Sequence, residues 1–213
     1  PVSNLKMVTD TLLTKPVTEQ EQTDFLQGIR SQTDKLDFLF QALVKASRLE
    51  TGAIRLEKKD DSLFRTLAQA MSGIVYAAEK KEIAVSVNCP EDLTLSHDSK
   101  WTEEAIFNLL DNAVKYTTEG TEIIISAAAE TEFVTIKVAD TGEGISAEAR
   151  SKIFDMFYTA GGRADGRRGL GLGLALCKSI INAHGRAIYM EDNVPHGAVF
   201  CFTLKRAEVA KYE

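Results

Sequence analysis

Asn108-Leu-Leu-Asp-Asn112-Ala-Val-Lys115-Tyr116 is the stretch on which the fold turns. It reads as the end of a helix over 99–116, whose two asparagines, four apart, share one face. Three further blocks follow in order: Asp140-Thr-Gly142-Glu-Gly144, Phe154-Asp-Met-Phe157 and Gly169-Leu-Gly171-Leu-Gly173. An amide oxygen is a hard, neutral ligand suited to magnesium, and it adds no charge to repel phosphates. Asp140 closes an apolar strand, where a fixed carboxylate can accept a hydrogen bond from an exocyclic amine such as that of adenine. Gly142 and Gly144 let the backbone turn and approach a ligand closely. Gly169 through Gly173 open a helix whose unshielded amides form a phosphate cradle. Lys115 can meet phosphate oxygens, and Arg163, Arg167 and Arg168 lie just ahead of the cradle, suited to β- and γ-phosphate charge. Each block alone also reads as ordinary structure: a water-facing helix surface, a plain turn, a solvated loop. Together, in this order, they point to a nucleotide–metal site.

Two better-known phosphate motifs do not fit. A P-loop needs glycine directly before Lys-Ser, whereas Cys177 precedes Lys178-Ser179. A dinucleotide fingerprint needs a third glycine at the right spacing and a strand before it; here Arg167-Arg168 in a polar loop precedes the glycines, so Asp192 downstream is no ribose ligand.

Outward from the blocks, the chain changes character near residue 52. Leu26, Ile29, Thr33, Leu36, Phe40 and Leu43 step by three and four, and Leu39 and Ala46 widen the stripe. Thr18 with Glu21 makes a capping box after the break at Lys15-Pro16, and Gly52 can supply the helix end. Residues 1–52 are therefore expected to form an antiparallel helical hairpin. Its stripe is too wide for one partner, and docking two hairpins into a four-helix bundle would bury it, which predicts a homodimer. Residues 53–213 are expected to be a second domain of mixed α and β. Strands are predicted over 53–58, 82–88, 122–130, 132–139, 187–192 and 198–205, with helices over 61–81, 99–116, 147–155 and 170–184. The fold class is thus α+β: the hairpin, then an α/β sandwich with a mixed sheet covered by helices on one face.

The net charge of −6 argues against a nucleic-acid partner, which would face a basic surface. No apolar run approaches the roughly 20 residues that cross a bilayer, so no direct membrane insertion is expected. Cys89, Cys177 and Cys201 form no C-x-x-C pair and read as reduced thiols of a cytoplasmic protein.

With these residues in place, the chain resembles a sensor histidine kinase of two-component signalling. Asn108–Tyr116 is similar to the N box, Asp140–Gly144 to the first glycine box, Phe154–Phe157 to the F box and Gly169–Gly173 to the second glycine box of its Bergerat-type ATP-binding domain. His184-Gly185 and Gly197-Ala-Val-Phe200 resemble its terminal segment, and residues 1–52 its dimerisation and phosphotransfer hairpin. The resemblance implies ATP and Mg²⁺ as cofactors. It implies that Asn112 holds the metal, with Asn108 in contact through water. Lys115 and Tyr116 would touch the nucleotide, and Asp140 would read the adenine amine beside Gly142, Gly144 and Ile145. Phe157 would position a lid. Arg168, Gly169, Leu170, Gly171, Leu172, Gly173 and Leu174 would line the phosphates, with Asn108, Lys115 and Arg168 catalytic. The implied reaction is γ-phosphoryl transfer to a histidine and then to an aspartate of a response regulator.

The family's phosphoacceptor histidine precedes a Thr-Pro by a few residues, and Pro1 aligns with that proline. The acceptor is therefore expected upstream, in a longer protein of which this chain is a segment, able to bind ATP but not to phosphorylate itself at the usual site. None of His97, His184 or His196 is placed to replace it. Three alternatives compete: an ATP-gated clamp, a serine kinase that binds a sigma factor and is built on the same nucleotide domain, and a degenerate kinase acting as a dimeric scaffold. A hydrolysing clamp places a glutamate base where Asn108 stands, and an amide cannot take a proton from water.

Overall fold

Thr18 and Glu21 cap each other reciprocally, the Thr18 N–H donating to the Glu21 carboxylate at 2.8 Å and the Glu21 N–H to Thr18 Oγ1 at 3.3 Å. This starts helix α2 (Glu19–Glu50), after helix α1 (Val2–Thr14) has stopped before Pro16. The computed structural model describes residues 2–159 and 170–207. The chain divides into two compact units, Pro1–Lys45 and Ala46–Glu213. In the first, α1 carries no buried residue, and Leu26, Phe38, Phe40 and Leu43 of α2 stand exposed. The final turn of α2 belongs to the second unit. Ala46 and Leu49 are buried in its core, and Ser179 Oγ donates to Glu50 Oε1 at 3.1 Å. Gly52, at φ +70°, closes the helix as expected of a C′ glycine.

The second unit is built on a five-stranded sheet in the order β2 (Ala84–Asn88), β4 (Glu122–Ala129), β5 (Phe133–Asp140), β7 (Ala198–Lys205), β6 (Ile188–Asp192). Only β2 and β4 pair in parallel, so the sheet is mixed. Alternation decides its faces. Val134, Ile136, Val138 and Asp140 of β5 point inward beside Phe200, Phe202 and Leu204 of β7. Against that face pack helices α5 (Ser99–Tyr116) and α7 (Gly173–Ala183), with Ile106, Leu109, Ile180 and Ile181 fully buried. Fully burying one such side chain is worth about 1.5–3 kcal/mol, so this layer is the main source of stability.

The remaining elements differ from expectation in instructive ways. Residues 53–58 are not a strand. Instead β1 (Lys59–Ser62) pairs antiparallel with β3 (Thr94–His97), a strand the periodicity did not reveal. The Glu57 N–H is taken by Asp98 Oδ2 at 2.8 Å, and Lys58 Nζ donates to the His184 carbonyl at 3.0 Å, so this segment bonds to helix ends rather than to a sheet. The helix expected over 61–81 is two, α3 (Leu63–Ser72) and α4 (Val75–Lys80), parted at Gly73. The helix expected over 147–155 is a single turn, α6 (Ala147–Arg150), followed by turns that bring Phe154 edge-on to Phe200 at 6.2 Å.

Candidate functional site

Asp98 starts α5 by accepting the Trp101 N–H at Oδ1, which places the two asparagines on the middle and last turns of a capped helix. The far end is closed by Lys81, whose ammonium donates to the carbonyls of Val114 at 2.6 Å and Lys115 at 3.1 Å. Asn108 is buried, and its Nδ2 donates to the Glu104 carbonyl at 2.8 Å, which orients Oδ1 toward the start of α7. A Cβ on Gly173 would lie 3.0 Å from that oxygen, so the glycine permits the two helices to meet. Asn112 is half-buried, and its side-chain amide makes no hydrogen bond among the described residues. Lys115 is exposed and ion-paired with Asp111, and the Tyr116 ring is also exposed.

Asp140 sits at the tip of β5 and is buried. Its Oδ1 accepts the N–H groups of Gly142 at 2.9 Å and Ala198 at 3.3 Å. Oδ2 receives no bond from the described residues. Burial pushes the carboxyl pKa up, against the downward pull of those two amides. The turn after it docks on the end of α5, since a Cβ on Gly142 would meet the Tyr116 carbonyl at 2.5 Å. Gly144, at φ +74°, faces the Gly197 carbonyl, and Ile145 is half-buried beside it.

The last two blocks are stitched together. The Phe157 N–H donates to the Gly171 carbonyl at 2.8 Å, and a Cβ on Gly171 (φ +70°) would strike Tyr158 O at 2.5 Å. Phe157 itself holds φ +66° with its ring exposed, a cost of order 1–3 kcal/mol that the surrounding structure must offset. Leu172 is buried at the start of α7, where no side chain caps the amides; Leu170 and Leu174 flank it half-buried. Because Gly171 is left-handed, α7 begins at Gly173 rather than at residue 170. Arg163, Arg167, Arg168 and Gly169 lie outside the described residues.

The four blocks thus touch in a chain: Asn108 with Gly173, Tyr116 with Gly142, Phe157 with Gly171. Two residues outside the four blocks also hold the strand tip: Asn193, whose Nδ2 donates to the Asp140 carbonyl at 2.8 Å, and Gly197 against that same carbonyl. The sequence signal for Asn193 was an Asn-x-Pro turn between two strands, a common local hydrogen-bonding pattern that does not disclose a distant partner.

His97 and His184 are buried and structural. His184 Nε2 accepts the Asp98 N–H at 3.2 Å, so Nδ1 carries the proton and donates to the Ile180 carbonyl at 2.9 Å. His97 Nδ1 likewise donates to the Leu95 carbonyl, leaving Nε2 to Thr66. Burial lowers both pKa values below the ordinary 6.5, outweighing nearby Asp61 and Asp98. The unfolded chain then takes up protons first on acidification. Stability from this pair is complete above 6.5 and falls as pH drops below it. Thermal melts should show a lower Tm at about pH 5.5 than at about pH 7.5; a Tm unchanged or higher in acid would contradict the neutral assignment.

The family model of the histidine kinase-, DNA gyrase B- and HSP90-like ATPases matches residues 97–208. The chain belongs to this family. Among curated relatives of this histidine kinase-like ATPase, the sensor protein KdpD of Clostridium acetobutylicum is 32% identical over 97% of the chain and 23% of that protein. The alginate biosynthesis sensor protein KinB of Pseudomonas aeruginosa is 32% identical over 87% of the chain and 31% of that protein. The chain therefore spans less than a third of either relative. The crystal structure of full-length ShkA in complex with AMPPNP aligns with a TM-score of 0.77 at 27% identity, over 97% of this chain and 43% of that one. The α+β class and the sensor-kinase ATP-binding domain read from the four blocks hold. No helix among the described residues is long and apolar enough to cross a membrane.

Proposed function

We propose that this chain is the catalytic part of a sensor histidine kinase, in which a histidine imidazole nitrogen attacks the γ-phosphorus of ATP and the bond to ADP breaks. A response-regulator aspartate then receives the phosphoryl group. The observation that carries the reading is the pair of unengaged groups within one connected site: Asp140 Oδ2 at a strand tip and the Asn112 amide on the facing helix. Oδ2 would accept from the adenine amine, with Gly142, Gly144 and Ile145 around the base and Tyr116 against the nucleotide. Leu170 through Leu174 would line the phosphates. Arg168 and Gly169, outside the described residues, keep the roles their resemblance gives them. Catalysis would rest on positioning and charge neutralisation.

The donor set fits Mg²⁺. Among the described residues no cluster of three His, Cys, Asp or Glu side chains could hold a metal alone, so an ion here would lean on one neutral amide and the phosphates themselves. Asn112 would hold it through Oδ1, and Asn108, turned toward Gly173, would contact it through water. Asn112→Ala should abolish the Mg²⁺ dependence of ATP binding in titration calorimetry; a retained dependence would move the ligand elsewhere. Lys115, paired with Asp111 here, would exchange that partner for phosphate.

Residues 1–52 would supply the homodimer, supported by the exposed apolar stripe of α2, and 53–213 the catalytic domain. Light scattering should read a monomer once residues 1–45 are removed, a cut that leaves Ala46 and Leu49 in the core of the second unit; a persisting dimer would refute the assignment. With ATP as its substrate, this part of the protein would work in the cytoplasm.

A further inference from the structure

We propose that Asn193 is a positioning residue that fixes Asp140 for base recognition, an inference that rests on Asp140 reading the adenine amine. The ladder between β5 and β7 runs from Phe133 opposite Lys205 to Ala139 opposite Val199 and stops one residue short of Asp140. At the next step Gly197 closes on the strand tip, where a Cβ would stand 1.9 Å from the Asp140 carbonyl oxygen. The ladder's missing donor is replaced by a side chain. Asn193 Nδ2 donates to that carbonyl at 2.8 Å across 53 residues of sequence.

The asparagine is itself locked. Its Oδ1 accepts the Val194 N–H at 3.0 Å, and its own N–H donates to the Gly197 carbonyl at 3.1 Å. Exchanging Oδ1 and Nδ2 would set donor against donor at Val194 and acceptor against acceptor at Asp140, so the amide has one orientation. Asp140 is then held at its carbonyl by Asn193 and at Oδ1 by Gly142 and Ala198, with Oδ2 the outward group. Beside Asn193, Asp192 pairs with Arg150, whose Nε donates to the Ile145 carbonyl, so the same hairpin also steadies the loop around the base. Without the Asn193 bond the strand tip can rotate, and the direction of Oδ2 is no longer set.

Asn193→Asp keeps the shape and puts an acceptor where the donor was. Calorimetric titration of the full chain should show ATP affinity falling about tenfold, the worth of one buried hydrogen bond with its repulsive replacement. ITP, whose C6 carbonyl replaces the exocyclic amine and whose N1 carries a hydrogen, cannot make that contact, and its affinity should change less than about twofold. Equal losses for both nucleotides would reduce Asn193 to general support of the hairpin and overturn the proposal. Should Asn193→Asp fail to fold by circular dichroism, Asn193→Ala carries the same comparison. In an Asp140→Asn background, Asn193→Asp should cost no further ATP affinity; a second full loss would show that the two act separately. If Asp140→Asn alone leaves ATP binding intact, adenine reading and positioning both fall. If it weakens binding while the Asn193 variants do not, only the positioning role falls.

Discussion

Gly197→Ala should lower the melting temperature by about 6–12 °C, the equivalent of about 3 kcal/mol in a chain this size, and remove ATP binding with it. Two costs add at this position. At φ +114° an L side chain is strained whatever the space around it. The new methyl would also stand 1.9 Å from the Asp140 oxygen and 2.9 Å from Thr141 Cα, both backbone atoms that no rotamer change can move aside. Relief requires parting β7 from the tip of β5, which breaks the Ala198 N–H bond to Asp140. Gly185→Ala is the matched control. It shares a positive φ, +82°, but a Cβ there meets nothing within 4 Å, so it should cost only about 1 kcal/mol. Melting curves of the two variants would decide the matter, and coincident curves would show that the close approach at Gly197 does not exist.

Asp140→Asn should weaken ATP binding by more than about tenfold without lowering thermal stability. The fold holds a carboxylate out of water at some cost, as its raised pKa records. Asparagine retains the Oδ1 acceptor for Gly142 and Ala198 and removes the buried charge, so melting should be no lower. What it loses is the outward acceptor. An NH₂ group would face the adenine amine, donor against donor, in a site shielded from water. Titration calorimetry showing unchanged affinity would detach base recognition from this residue. A lower melting temperature would show instead that the charge itself supports the strand tip.

Much of this site is visible in the sequence because its parts are local. The capping box of Thr18 and Glu21 announces α2, and the alternation of Val134, Ile136 and Val138 announces the face of β5. Glycine and periodicity carry such information within a few residues. The missed features are settled at a distance. Strand β1 exists because residues 59–62 find residues 94–97, and a four-residue polar strand has no period to read. Gly73 splits one long apolar pattern because the backbone turns there, although the helical spacing continues past it. The bond from Asn193 to Asp140 joins two residues that nothing in their neighbourhoods connects.

The outer strands of the sheet, β2 and β6, are five residues long, against eight in each of the three strands between them. Prolines follow both, Pro90 two residues after β2 and Pro195 three after β6, and the sequence of β6 ends on Glu191-Asp192. A neighbouring molecule seeking to extend the sheet by one more strand finds a brief, charged or proline-bounded template. The architecture thereby discourages fibrillar stacking through the nucleotide domain.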